Sequence, residues 1–171
     1  IVVGEQSATY DCTMFSADYS DFDCAVIGFR KVQEFAPGHG DILAAASGDP
    51  IYTDFVAYGV QSADDIQLAS DLNNSGSGTY TDSTEATADS QNLRLFINVT
   101  DAGVVTFKHE VNGVMGAGTL AAPSTTMSYT FDSGDKIVPY LFVQGVNADS
   151  AHLIKEMQVT RSPARDGYSP A

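Results

Sequence analysis

Carboxylates are the commonest groups in this sequence that could do chemistry, and glycoside hydrolysis is the reaction a pair of them would perform. That reaction needs two acids flanking the scissile bond, about 5–5.5 Å apart for retention or about 6.5–9.5 Å for inversion. Sandwich glycosidases carry them on a Glu-x-Asp-x-x-Glu strand. The glutamates here, Glu5, Glu34, Glu85, Glu110 and Glu156, sit in no such pattern. A transition-metal site needs roughly three or four convergent donors, and His39, His109 and His152 are scattered without His-x-His or His-x-x-x-His spacing. No Gly-x-Ser-x-Gly elbow offers a nucleophile. Gly76-Ser77-Gly78 reads as a loop, and Gly116-Ala117-Gly118 lacks the Lys-Ser/Thr ending of a phosphate loop. No residue is assigned a catalytic role, and the chain is expected not to be an enzyme.

Two segments could hold a hard cation. Asp18-Tyr19-Ser20-Asp21-Phe22-Asp23 and Asp132-Ser133-Gly134-Asp135 are rich in oxygen donors suited to calcium. Neither has EF-hand spacing, and aspartate capping a turn is the plainer expectation. No metal or other cofactor is therefore assigned. Asn73-Asn74-Ser75 and Asn98-Val99-Thr100 match the glycosylation triplet, which recurs by chance and carries little weight when Asn98 falls in a strand.

Composition narrows the partners. Eight Lys and Arg against 22 Asp and Glu give a formal charge of −14, a field that repels phosphate backbones, so nucleic acid is not expected. No apolar run approaches the roughly 18 residues of a membrane span. Nor does a basic-then-apolar leader precede Ile1-Val2-Val3-Gly4. The 171 residues suit one domain.

The elements that must position any site are strands. Residues 93–99, 104–109, 127–131, 136–143 and 153–160 are runs of β-branched and aromatic residues bounded by Gly, Asp and Asn turns, such as Asp101-Ala102-Gly103. Residues 9–15, 23–30, 53–60, 65–69 and 79–81 extend the rhythm less cleanly, and 42–46 reads as a brief helical turn or a strand. Residues 82–90 lack a hydrophobic period and read as a mobile surface crossover. Helical periodicity is nowhere sustained. The expected fold is an all-β antiparallel sandwich over residues 1–160, followed by an extended tail at 161–171.

Cys12 and Cys24 are the only cysteines. A hairpin centred on Asp18 would set them opposite one another, where a disulfide is conceivable. Two buried thiols acting as small hydrophobes are the preferred reading, since nothing in the sequence points to an oxidising compartment.

Face assignment follows from alternation. Leu93, Leu95, Ile97 and Val99 share one side and Arg94, Phe96 and Asn98 the other, with Phe96 hinting that this second side is partly covered. Ile137, Pro139, Leu141 and Val143 alternate with Val138, Tyr140 and Phe142, so both faces are apolar. Proline marks an edge or a bulge. An apolar edge against a partner subunit would satisfy both signals, with Ile137, Pro139, Tyr140 and Phe142 in the contact. Arg161, Arg165 and Tyr168 of the tail could join it.

The order of these pieces, from Thr-Asp-Phe-Val-Ala-Tyr-Gly at 53–59 through Leu-Arg-Leu-Phe-Ile-Asn-Val at 93–99 to Phe-Asp-Ser-Gly-Asp-Lys-Ile-Val-Pro-Tyr at 131–140 and Ile-Lys-Glu-Met-Gln-Val at 154–159, resembles concanavalin-like (lectin and laminin-G type) jelly rolls of tailed-bacteriophage virion proteins. The resemblance spans roughly residues 24–160. It implies a jelly roll acting as a non-enzymatic capsid-decorating, cement or head-fibre protein on the particle exterior, a homo-oligomer that contacts capsid or another virion protein. The alternative is an extracellular carbohydrate-binding module whose stacking aromatics would be Tyr52, Tyr58, Tyr80 and Tyr140. The chain lacks Trp and the clear Asp-plus-Asn constellation of sugar-binding lectins.

Overall fold

Two five-stranded antiparallel sheets face one another across a shared core in the computed structural model, which describes residues 1–33, 52–60, 65–71, 79–115, 129–146 and 151–163. The strands are β1 (Gln6–Ser16), β2 (Phe22–Lys31), β3 (Phe55–Val60), β4 (Asp65–Asp71), β5 (Thr79–Ala86), β6 (Gln91–Val99), β7 (Val105–Val111), β8 (Val114–Met115), β9 (Ile137–Val146) and β10 (His152–Pro163). One sheet has the order β10-β1-β6-β7-β8 and the other β5-β4-β3-β2-β9. Among the described residues the one helical piece is a 3-10 turn at Tyr19–Asp21, linking β1 in the first sheet to β2 in the second. The all-β sandwich expected from the strand rhythm is the fold observed.

Period-two alternation builds the core. Tyr10, Cys12 and Met14 of β1, Leu93, Leu95, Ile97 and Val99 of β6, and Ile27 and Phe29 of β2 are all buried between the sheets. Tyr58 of β3 and His109 of β7 also point inward, and the Tyr58 hydroxyl lies 2.5 Å from His109 Nδ1. That inter-sheet hydrogen bond satisfies two polar groups where water is excluded. Phe55, Ala57, Cys24, Val26, Tyr52 and Ala69 form a second, smaller buried cluster on the opposite side of the β2–β3–β4 sheet.

Several expectations are revised. β1 does not pair with β2; it lies between β10 and β6, with Cys12 opposite Met157 and Leu95. Cys24 sits in the other sheet opposite Gln144. Only the hairpin pairing is overturned here: both cysteines are buried and unbridged, as the preferred buried-thiol reading has it. Burial, and then the neighbouring Asp11 carboxylate, pushes the Cys12 thiol up to about 11. The crossover expected at 82–90 is strand as far as Ala86. Around 127–131, the described residues contribute an isolated bridge between Thr130 and Val104. The first tail residues continue β10, where Arg161 pairs with Ala8 and Pro163 with Gln6. Residues 42–46 lie outside the described set.

Burial also makes the fold sensitive to alkali. It pushes the phenols of Tyr10 and Tyr19 from 10.0 up to about 12. Burial raises Tyr129 and Tyr140 further, and Tyr129 additionally faces Asp54, Asp71 and Asp135. A phenol whose folded value exceeds its unfolded one contributes stability that is complete below the unfolded value and lost as pH rises through the folded one. The urea midpoint should therefore fall as pH rises from about 10 to about 12. Phenolate absorbance should show some of the eight tyrosines ionising only as the chain unfolds.

Candidate functional site

The outward face of the first sheet carries a groove of about 540 Å³ lined by Thr9, Arg94, Phe96, Asn98, Thr106, Lys108 and Glu110. These side chains alternate with the buried residues of β1, β6 and β7, so they point away from the core. Register arranges them in rows across the strands. Thr160, Thr9, Asn98 and Thr106 make one row, Gln158, Asp11, Phe96 and Lys108 the next, and Glu156, Thr13, Arg94 and Glu110 the third.

Arg94 organises this face. Its Nε donates to Asp11 Oδ1 at 3.0 Å and its Nη2 to Asp11 Oδ2 at 2.6 Å, a two-pronged pairing that fixes the guanidinium plane. Nη1 lies 3.6 Å from Glu110 Oε2. The guanidinium carbon stands 4.5 Å above the Phe96 ring centroid, a cation–π geometry. Hydrogen bonding to Asp11, with the attraction of Glu110 and Glu156, holds the guanidinium well above its ordinary value, so it stays charged at every accessible pH. Beside it, Thr9 Oγ1 donates to Asn98 Oδ1 at 3.1 Å. The result is an aromatic ring amid fixed donors and acceptors. Sequence reading had placed Arg94, Phe96 and Asn98 on one face of a strand without seeing a site. The available signal was an aromatic on the polar side of a strand whose other side is wholly aliphatic.

A second constellation resembles a nucleophilic triad. Ser16 Oγ lies 2.9 Å from His152 Nδ1, and His152 Nε2 is 3.7 Å from Asp21 Oδ2. A nucleophile must be reachable and able to pass its proton to the base. Ser16 is fully buried, donates to the Asp18 carbonyl and accepts from the Asp18 amide. Its proton is committed, so the trio clamps the start of β10 to the turn after β1.

The acidic turns have structural partners. Asp18 accepts from the Ser20 amide and hydroxyl and caps the 3-10 turn. Asp135 accepts from Lys31 Nζ at 2.6 Å, and Asp54 lies 3.9 Å from the same ammonium. Among the described residues no three His, Cys, Asp or Glu side chains are grouped to hold a metal ion.

The residues singled out from sequence do not converge. Tyr58 is fully buried and Tyr52 nearly so, with the Arg30 guanidinium carbon 4.3 Å from the Tyr52 ring centroid, so neither is a surface platform for sugar. The half-buried Tyr140 packs on the smaller cluster and donates to the Val56 carbonyl at 3.2 Å. The Tyr80 side chain, Arg165 and Tyr168 lie outside the described set. Ile137 is buried in the main core and cannot be an assembly contact, whereas Arg161 is exposed on β10.

Pro139 lies on β9, which is an edge strand as proline suggests. Phe142 packs beside Tyr140 against the smaller cluster. The exposed large apolar residues on the inward side of the two edge strands are instead Leu141 and Val143 of β9 and Ile154, Met157 and Val159 of β10, while exposed Leu153 registers with outward Phe15. Ile154, Met157 and Val159 register with the inward Met14, Cys12 and Tyr10. Leu141 and Val143 share the parity of inward Ile137. The inner layer therefore runs out uncovered at these two edge strands, where Met157 is 57% exposed.

No protein-family model and no curated protein sequence matches the chain. Solved structures do. The lectin UEA-II, solved in complex with galactose, is similar with a TM-score of 0.58 at 13% identity, over 91% of this chain and 72% of the lectin. The alginate lyase PA1167 from Pseudomonas aeruginosa is similar with a TM-score of 0.50 at 12% identity, over 94% of this chain and 67% of the lyase. Likeness at this identity speaks to fold alone, and the fold is an antiparallel jelly-roll β-sandwich.

Proposed function

We propose that this chain is a non-catalytic carbohydrate-binding domain that holds a sugar chain across the outward face of β1, β6 and β7. The observation that carries this reading is the Arg94-centred groove. A sugar hydroxyl both donates and accepts, and here the N–H groups of Arg94 not used by Asp11 stand beside the carboxylate of Glu110, the amide of Asn98 and the hydroxyls of Thr9 and Thr106. Phe96 supplies apolar surface among them, the usual composition of a small-molecule site. The similarity to a lectin supports the reading at the level of fold. A glycan array probed with the full chain tests the proposal. Signals that weaken at least about tenfold in Asn98→Ala, with unchanged melting, are expected from lost hydrogen bonds; a blank array would end it.

A second reading, assembly on the exterior of a virion or related particle, is favoured by the apolar strip on β9 and β10. Its partners would be further copies of the chain and a capsid protein. Light scattering should then show an oligomer that Met157→Glu dissociates. A monodisperse monomer without affinity for capsids would exclude it.

A further inference from the structure

Resting on the carbohydrate reading above, we infer that the groove selects by charge: it takes uncharged glycans and refuses uronate polymers. A site for polyanions presents cations with charge to spare, usually more than one along the path of the ligand. Here the charge of Arg94 is met twice, by the two-pronged Asp11 and by Glu110. Glu156, in the same cross-strand row, adds a third carboxylate that acts on Arg94. Lys108, opposite Phe96, is the other lining cation and stands outside that network. Within the three cross-strand rows the carboxylates Asp11, Glu110 and Glu156 outnumber the cations Arg94 and Lys108, while Lys155 sits beyond them, held over the Phe15 ring and donating to Asn92.

The rest of the molecule points the same way. At a formal charge of −14, a polyuronate approaches against the field of the whole protein and gains no steering. An uncharged polyol loses nothing to that field. Arg94 remains useful to such a ligand because its neutralised guanidinium is still a rigid, directional donor. The acceptors beside it, Glu110 and Asn98, suit hydroxyl protons that a carboxylated sugar ring partly lacks.

Titration calorimetry with the full chain separates the outcomes. The probes are uncharged galacto- and gluco-oligosaccharides and oligouronates of equal length, at about 20 mM and about 300 mM NaCl, a range that spans weak to strong screening. The inference expects a neutral oligosaccharide to bind with an affinity that changes less than about twofold with salt, and the uronates to bind at least about tenfold more weakly. Glu110→Gln, with folding checked by melting, should raise uronate affinity by about threefold to tenfold by removing a like charge while Asp11 still holds Arg94. Uronate binding that equals or exceeds neutral binding and weakens with salt would overturn the inference and leave the carbohydrate reading standing. Binding of neither class would overturn that reading itself.

Discussion

Gly59→Ala is expected to cost more than about 3 kcal/mol or to prevent folding, beyond the usual range for overpacking. A Cβ on Gly59 would lie 2.1 Å from the Ala25 carbonyl oxygen and 2.8 Å from Val26 Cα. Gly28 on the neighbouring strand has the reciprocal problem, its Cβ falling 2.2 Å from the Val56 carbonyl oxygen and 2.5 Å from the Tyr140 ring. These obstacles are mostly backbone, and β2 is pinned between β3 and β9, so it cannot step aside as a flexible side chain would. Glycine inside a strand often marks such an approach. Gly113→Ala is the control. It has a φ of +79 but nothing within 4 Å of the added carbon, so the backbone penalty of about 1–2 kcal/mol is all it should show. Urea unfolding of the three proteins measures the difference. A Gly59 variant as stable as the Gly113 variant would mean that β2 and β3 are not so closely apposed.

Lys31→Met is the second large effect, at about 2–3 kcal/mol. Lys31 ends β2 and places its ammonium 2.6 Å from Asp135 and 3.9 Å from Asp54, both of which are buried. Removing one partner of a buried pair costs about 3–5 kcal/mol; the figure is discounted here because the Lys31 side chain is 38% exposed and water screens the ammonium. The hydrogen bond to Asp135, followed by the attraction of Asp135 and Asp54, raises the Lys31 amine above its ordinary 10.5. A raised amine contributes stability that is complete below its unfolded value and lost as pH rises through its folded one. The gap between wild type and Lys31→Met should therefore be full at about pH 7 and narrow above about pH 10.5. A gap that widens with pH would place the cause elsewhere.

How much of this was legible depends on whether a feature is local. Strand alternation exposes parity, so the buried side of 93–99 and the edge character of the strand holding Pro139 could be read directly. The turns at Asp101–Gly103 and Asp132–Asp135 were equally plain, and the structure gives Gly103 and Gly134 positive φ. Pairing across the chain was not legible. The turn near Asp18 resembles a hairpin in sequence, yet its chain changes sheet and carries Cys12 and Cys24 apart. The groove was hidden for the same reason. Asp11 meets Arg94 only because β1 and β6 pair across a long stretch of sequence, and spacing cannot show that. Tyr58 failed as a surface aromatic because its strand turned that side to His109 and the core.

The proposed sugar site is a location, the outward face of β1, β6 and β7. Amide chemical shifts of the labelled full chain, followed as an uncharged oligosaccharide is added, test it most directly. Saturable shifts centred on Thr9, Asp11, Arg94, Phe96, Asn98 and Lys108 are expected, with Leu141 and Val143 of β9 and Ile154 and Met157 of β10 unmoved. Shifts concentrated on Leu141, Val143, Ile154 and Met157, with the Arg94 face silent, would contradict it.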